Sequence, residues 1–206
     1  MTHVVLLGDS IFDNGVYVAP APDVVRQLRA RLGAGDRASL LAVDGDVTDD
    51  VAGQLRRLPA DASHLVVSVG GNDALRSSGI LAERAASVAE AVGRLAEAQD
   101  GFRRSYALMV DAVLARRLPT ALCTVYDSLY PEPQRRLVVA GLALFNDVIT
   151  RAAFANRLPL IDLRLLCSDP ADYANPIEPS AMGGEKIAAA IAALVRGEGA
   201  GSRVWA

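Results

Sequence analysis

Five short, nearly unbroken apolar runs, "HVVLLG", "ASLLAV", "HLVVSVG", "PTALCTVY" and "LPLIDL", are separated by longer segments whose apolar residues recur at helical spacing. A strand covered on one face alternates apolar and polar residues, whereas one covered on both faces reads as continuous Val, Leu and Ile. The alternation of such runs with helices therefore predicts an α/β domain, a parallel sheet with helices on both faces. Helical repeats run through Val24, Val25, Leu28 and Leu32, through Val47, Val51, Leu55 and Leu58, and through Ile187, Ile191 and Leu194. A longer one spans residues 82 to 117, from Val88, Val92 and Leu95 to Val113, with Asp100 and Gly101 as a candidate kink, and another carries Leu137, Phe145, Val148, Ile149 and Ala152. With 206 residues the chain is long enough for one buried core and short for two, so residues 1–206 read as a single domain.

Parallel strands of one sheet end on one rim, and ligands bind in the crevice outside those carboxyl ends. The runs are followed in turn by "GDSIFDN", "DGDVTDD", "GGNDAL", "DSLYPEP" and a long irregular stretch ending in "DYANPIEPSAMGG". Small hydrogen-bonding residues thus gather at one rim. Gly8 permits a tight strand-to-helix turn, on which Ser10 presents its hydroxyl free of neighbouring side chains. Three donors from three strand ends can converge on an oxyanion beside it: the N–H of Ser10, the N–H of Gly45 and the side-chain amide of Asn72. Asp13, Tyr126 and Asp127 fall on the same rim as candidate substrate contacts. Asp9 and Asp73 are expected to satisfy their own turns. Asn146 is expected to make a structural hydrogen bond and Asp162 to anchor a loop.

In these blocks the chain resembles the GDSL or SGNH hydrolases. "GDSIFDN" resembles the family's first block with Ser10 as nucleophile, Gly45 falls where the second block has its glycine, and "GGND" resembles the third with Asn72 as oxyanion donor. The resemblance covers nearly the whole chain in block order. It implies a flavodoxin-like three-layer α/β/α sandwich with a five-stranded parallel sheet in order 2-1-3-4-5, and hydrolysis of carboxylic esters, a class spanning short acyl esters, acetylated sugars and thioesters.

The family's fourth block reads Asp, two residues, His, Pro, and supplies a base with its orienting carboxylate. Here the stretch is "NPIEP", with Asn175 at the Asp position and Glu178 at the His position. Neither histidine can substitute: His3 and His64 open their strands, and six residues at about 3.3 Å each put them roughly 20 Å from the rim. Two function classes follow. In one, Glu178 takes the proton of Ser10 directly or through one water, steadied by Asn175 or by a carboxylate such as Asp172, Asp13 or Asp127. An ordinary glutamate pKa of about 4.3 is poor for that task, so the site must raise it. A Ser10 Oγ to Glu178 separation within about 3.2 Å is the geometric requirement. In the other class the pocket survives without efficient turnover, as a ligand-binding or sensing module.

The net charge of −3 and scattered basic residues exclude an electrostatic footprint for nucleic acid. No run approaches the roughly 18 apolar residues of a membrane span, and the N-terminal run has neither the length nor the basic flank of a signal peptide, so a soluble, cytoplasmic protein is expected. "GGEK" lacks phosphate-loop spacing, Cys123 and Cys167 lack zinc or redox spacing, and Asp44, Asp46, Asp49 and Asp50 read as solvated acids. No cofactor or metal is expected. The partner is a small-molecule ester, the absence of large insertions suggests a small acyl or acetyl group, and the oligomeric state stays open. The tail "GEGAGSRVWA" is expected to fray.

Overall fold

The computed structural model describes residues 1–198; the tail beyond Glu198 lies outside the described residues. The chain opens with β1 (His3–Gly8), the single turn α1 (Gly15–Val18), α2 (Val24–Arg31) and β2 (Arg37–Leu40), then α3 (Val51–Leu55) and β3 (His64–Ser68). It continues through α4 (Gly71–Ser77), α5 (Val88–Leu114), β4 (Thr120–Cys123), α6 (Gln134–Ala155), β5 (Leu160–Ile161) and α7 (Leu163–Leu166). A small hairpin, β6 (Tyr173–Asn175) with β7 (Glu178–Pro179), precedes the last helix, α8 (Ala181–Val195). The sheet runs β2-β1-β3-β4-β5 with every neighbouring pair parallel, the order the resemblance implies.

The unbroken apolar runs are unbroken because alternate side chains feed two cores. Val4, Leu6, Val66, Ala121 and Cys123 pack under α2 and α8, against Val24, Val25, Leu28, Ile187 and Ile191. Val5, Leu7, Leu65, Val67 and Leu122 face the other way, against Val51 and Leu55 of α3, Phe102, Tyr106 and Val113 of α5, and Val148 and Ile149 of α6. Helix starts follow their caps: Asp23 accepts from Arg26 N, Ser87 from Glu90 N, and Ser180 from Met182 N and Gly183 N. Helix α5 is continuous through Asp100 and Gly101 for 27 residues.

Helix α6 is long and apolar enough, by length and composition, to cross a membrane. Its composition has another source here. Val148 and Ile149 enter the core, while Leu137, Val138 and Gly141 wall a cavity beside the sheet's carboxyl rim.

Gly8 closes β1 with φ +127°, and a Cβ there would lie 1.7 Å from the Ser68 carbonyl oxygen on β3. Both the backbone conformation and the close approach demand glycine. Gly8→Ala is therefore expected to destabilise the chain by at least about 3 kcal/mol in chemical denaturation. Gly93→Ala, in open space on α5, should be neutral or stabilising by up to about 1 kcal/mol.

Candidate active site

The turn after β1 carries Ser10, whose conformation is fixed from three sides. Asp9 N donates to Ser68 O at 3.1 Å, and Asp9 O accepts from Phe12 N and Asp13 N. The buried Gln54 takes Gly8 N–H at 2.8 Å while its amide donates to Gly8 O at 2.7 Å and to Asp46 Oδ2 at 2.8 Å. Gln54 thus ties the serine turn to the loop after β2, a function its place in a helical repeat does not reveal.

Glu178 arrives from β7. The Asn-Pro pair is a turn signal, and Asn175 Oδ1 accepts from Ile177 N at 2.9 Å across the hairpin. Asn14, fully buried, donates to Pro179 O at 3.3 Å and accepts from Val24 N at 3.0 Å, clamping this strand to the serine turn. The result brings Ser10 and Glu178 together, both buried, with Ser10 Oγ donating to Glu178 Oε1 at 3.1 Å. Burial pushes the Glu178 carboxyl up to about 7, the Ser10 hydrogen bond pulls against that shift, and the Asp44 carboxylate adds to it.

The proposed oxyanion donors are differently placed. Among the described residues no protein acceptor takes the N–H of Ser10 or of Gly45. Asn72, at the start of α4, donates one amide hydrogen to Asp46 O at 3.0 Å, which leaves the other. Ser10, Asn72 and Glu178 line one cavity; Gly45 is exposed on the adjoining loop with φ +85° and is not among the lining residues.

Of the other candidates, Tyr126 lines the cavity and donates its hydroxyl to Ile177 O at 2.7 Å. Asn175, Asp13 and Asp127 do not line it. Asn175 is exposed and spends its acceptor on its own turn, so it does not steady Glu178. Asp13 accepts Asp44 N at 3.0 Å and positions the loop after β2. Asp127 offers its backbone carbonyl to Tyr173. Asp172, buried, pairs with Lys186 Nζ at 2.7 Å instead of approaching Glu178. The carboxylate that bears on Glu178 is Asp44, while the charge of Glu178 in turn bears on Asp9.

Asp9 was expected to do no more than satisfy its turn. Its Oδ1 does accept from Ile11 N at 3.2 Å, but the residue is buried and lines the cavity. Burial raises its carboxyl to about 8, with the charges of Glu178 and Asp73 adding to the shift against the Ile11 hydrogen bond. Asp73 reaches beyond its own turn, where it was expected to stay, and accepts from Thr48 after β2, from its N–H at 3.1 Å and its hydroxyl at 3.0 Å. Asn146 clamps both polar groups of Val125, each at 2.8 Å.

The raised carboxyls carry a sign. Asp9 and Glu178 hold protons up to about 8 and about 7 in the folded chain, against 3.8 and 4.5 as reference. Between those limits the folded state binds more protons than the unfolded, so stability falls as pH rises through the window. Asp9→Asn, which keeps the acceptor for Ile11 N, should flatten the dependence of Tm on pH and raise Tm at pH 8. Calorimetry from pH 4 to pH 8 checks this; an unchanged slope would contradict it.

The histidines lie at the far end of the sheet. His3 Nδ1 contacts Asp61 Oδ1 at 3.0 Å and its Nε2 contacts Ser39 Oγ at 2.8 Å, tying β1 to β2 and to the loop before β3. His64 pairs with Ser63 Oγ at 2.8 Å.

The cavity is about 470 Å³ and its wall is apolar, from Ala74, Leu75, Ile80 and Leu81 around α4 to Leu95 on α5 and Leu137, Leu142 and Phe145 on α6. Its polar residues, among them Asp9, Ser10, Asn72 and Glu178, include those at the strand ends. The family model described as GDSL-like lipase/acylhydrolase matches residues 6–185. The chain belongs to this family. Among curated protein sequences none matches it. The fold of this GDSL-family chain is shared by solved structures of low identity. An extracellular lipase from Streptomyces rimosus superposes with a TM-score of 0.71 at 18% identity, over 93% of this chain and 100% of that one. An inhibitor-bound aryl esterase from M. smegmatis gives 0.68 at 13%, over 96% and 99%. A carbohydrate acetylesterase from Sinorhizobium meliloti gives 0.67 at 13%, over 96% and 99%. Family and fold together support ester hydrolysis in general.

Proposed function

We propose that this GDSL-family protein hydrolyses carboxylic esters of an apolar, medium-length acyl chain, with Ser10 as nucleophile and Glu178 as its base. The observation that carries the reading is the 3.1 Å hydrogen bond from Ser10 Oγ to a buried Glu178, and burial pushes that carboxyl up to about 7. A base is most useful when its pKa lies near the working pH. The same pairing favours turnover over a ligand-binding role alone.

In acylation, Ser10 Oγ attacks the ester carbonyl carbon as its proton passes to Glu178 Oε1. The oxyanion that forms is met by the N–H groups of Ser10 and Gly45 and the free amide hydrogen of Asn72. On collapse the C–O bond to the alcohol breaks, and the proton on Glu178 goes to the departing oxygen. Water then attacks the acyl-Ser10 carbonyl, giving its proton to Glu178. The Ser10–acyl bond breaks, the carboxylic acid leaves, and the proton returns to Ser10 Oγ.

The small acyl group expected from chain length fits the cavity poorly. Its volume of about 470 Å³ lies in the range that takes a drug-sized ligand, room for a medium-length acyl chain of roughly eight carbons. A small polar group would leave most of that apolar wall wet. The test is release of p-nitrophenol from p-nitrophenyl octanoate by purified protein, together with mass-spectrometric mapping of a phosphonate ester inhibitor. Turnover with the label on Ser10 is expected; no turnover, or a label elsewhere, overturns the proposal.

A further inference from the structure

Strand β2 leaves the sheet early. Its register with β1 ends at Leu6 opposite Leu40, while β1 runs on to Gly8. Backbone groups of a parallel strand repeat their direction every second residue, so Gly8, like Leu6, turns its N–H and C=O towards the side that β2 has vacated. On that side Leu6 O accepts from Leu41 N and Ala42 N, and Gly8 O from Val43 N at 3.1 Å. The Gly8 N–H would be left bare in the core, which is costly for a buried donor. Gln54, 1% exposed on α3, fills the gap: its Oε1 accepts from Gly8 N at 2.8 Å and its Nε2 donates to Gly8 O at 2.7 Å.

The second amide hydrogen of Gln54 goes to Asp46 Oδ2 at 2.8 Å, which commits both of its donors. Asp46 closes a four-residue turn from Val43, its N–H donating to Val43 O at 3.1 Å, with Gly45 at the third position and φ +85°. The turn is thereby pinned at both ends, Val43 N on Gly8 O and the Asp46 side chain on Gln54. Its last carbonyl, Asp46 O, takes one amide hydrogen of Asn72 at 3.0 Å. One buried side chain thus connects the serine turn, the Gly45 turn and Asn72 through contacts of 2.7 to 3.0 Å. Neither Gln54 nor Asp46 lines the cavity, so both act through their neighbours.

We propose that Gln54 and Asp46 are positioning residues of the oxyanion site: Gln54 fixes the spacing between the N–H groups of Ser10 and Gly45, and Asp46 carries that spacing on to the free amide hydrogen of Asn72. Donors from three separate segments stabilise an oxyanion only where their directions are set before it forms. A donor displaced by about 1 Å still tolerates the neutral ester but serves the charged transition state less, so the loss falls on turnover and not on substrate binding. This inference rests on the hydrolase reading and on those three donors.

The experiment compares wild type, Asp46→Ala, Asp46→Asn, Gln54→Met, Asn72→Ala and Ser10→Ala with p-nitrophenyl octanoate, per folded molecule by circular dichroism. It also measures inhibition by an octyl trifluoromethyl ketone, which forms a hemiketal oxyanion on Ser10. Asp46→Ala keeps the backbone carbonyl that holds Asn72 and removes the link to Gln54. It is expected to lower kcat about tenfold with KM within twofold, and ketone affinity about tenfold as well. Asp46→Asn, whose side-chain oxygen can still accept from Gln54, should recover both. Gln54→Met, similar in length without the amide, should cost about a hundredfold in kcat and in ketone affinity; if it does not fold, the Asp46 pair decides. Asp46→Ala kinetics that superimpose on wild type overturn the inference even where Tm falls, because a merely structural brace moves Tm alone. A raised KM with kcat and ketone affinity unmoved overturns it too. If Ser10→Ala and Asn72→Ala lose activity in that same experiment, only the role of Gln54 and Asp46 falls. If either retains it, the reading of the nucleophile or of the oxyanion donors has failed, and the inference with it.

Discussion

Ser10→Ala is expected to lower kcat/KM for p-nitrophenyl octanoate by about a millionfold, and Glu178→Gln by about a thousandfold, each with the fold intact by circular dichroism. The serine loss removes the covalent route altogether, leaving what binding and the oxyanion donors supply. Glutamine keeps the size of Glu178 and an oxygen that can accept from Ser10 Oγ, so the 3.1 Å contact can persist while proton acceptance is lost. That separation makes the second variant the sharper one. Combining the two should cost little more than Ser10→Ala alone, because the residues act as one unit.

The other large effect concerns the cavity. Each added methylene buried is worth about 0.8 kcal/mol, close to fourfold, so six more carbons can raise kcat/KM from acetate to octanoate by a hundredfold or more. Gly141 lines that wall on α6, and a Cβ built there meets nothing within 4 Å. Gly141→Phe should fill the space without straining the helix, since glycine in a helix interior is itself the costly residue. Kinetics on both esters should show octanoate reduced about a hundredfold and acetate within about threefold. An equal loss on both would mean that the acyl chain lies elsewhere.

The strand runs were legible because both faces of the sheet are covered, Gly8, Ser10 and Asn72 because each sits at a strand end among small residues, and Glu178 only from its position in the fourth block. The cavity was not. Leu95 and Leu137 recur at helical spacing and read as core, yet both line the cavity, and Val88 and Val92 are exposed. Apolar periodicity marks a face that avoids water and does not say whether protein or ligand covers it. Asn175 was misread for another reason: block position places a residue in the chain, while a two-residue hairpin turns its side chain to Ile177 N. Asp9 and Asp73 look alike in sequence. Only the fold buries the first in the cavity and gives the second Thr48 to hold.

The most direct test of the Ser10–Glu178 pairing is the pH dependence of Ser10 phosphonylation, followed by mass spectrometry in wild type and Glu178→Gln. The rate in wild type should rise with pH along a single limb near pH 7, where Glu178 loses its proton, and Glu178→Gln should react slowly without that limb. A limb near pH 7 that persists in Glu178→Gln would assign the base to another group and contradict the account.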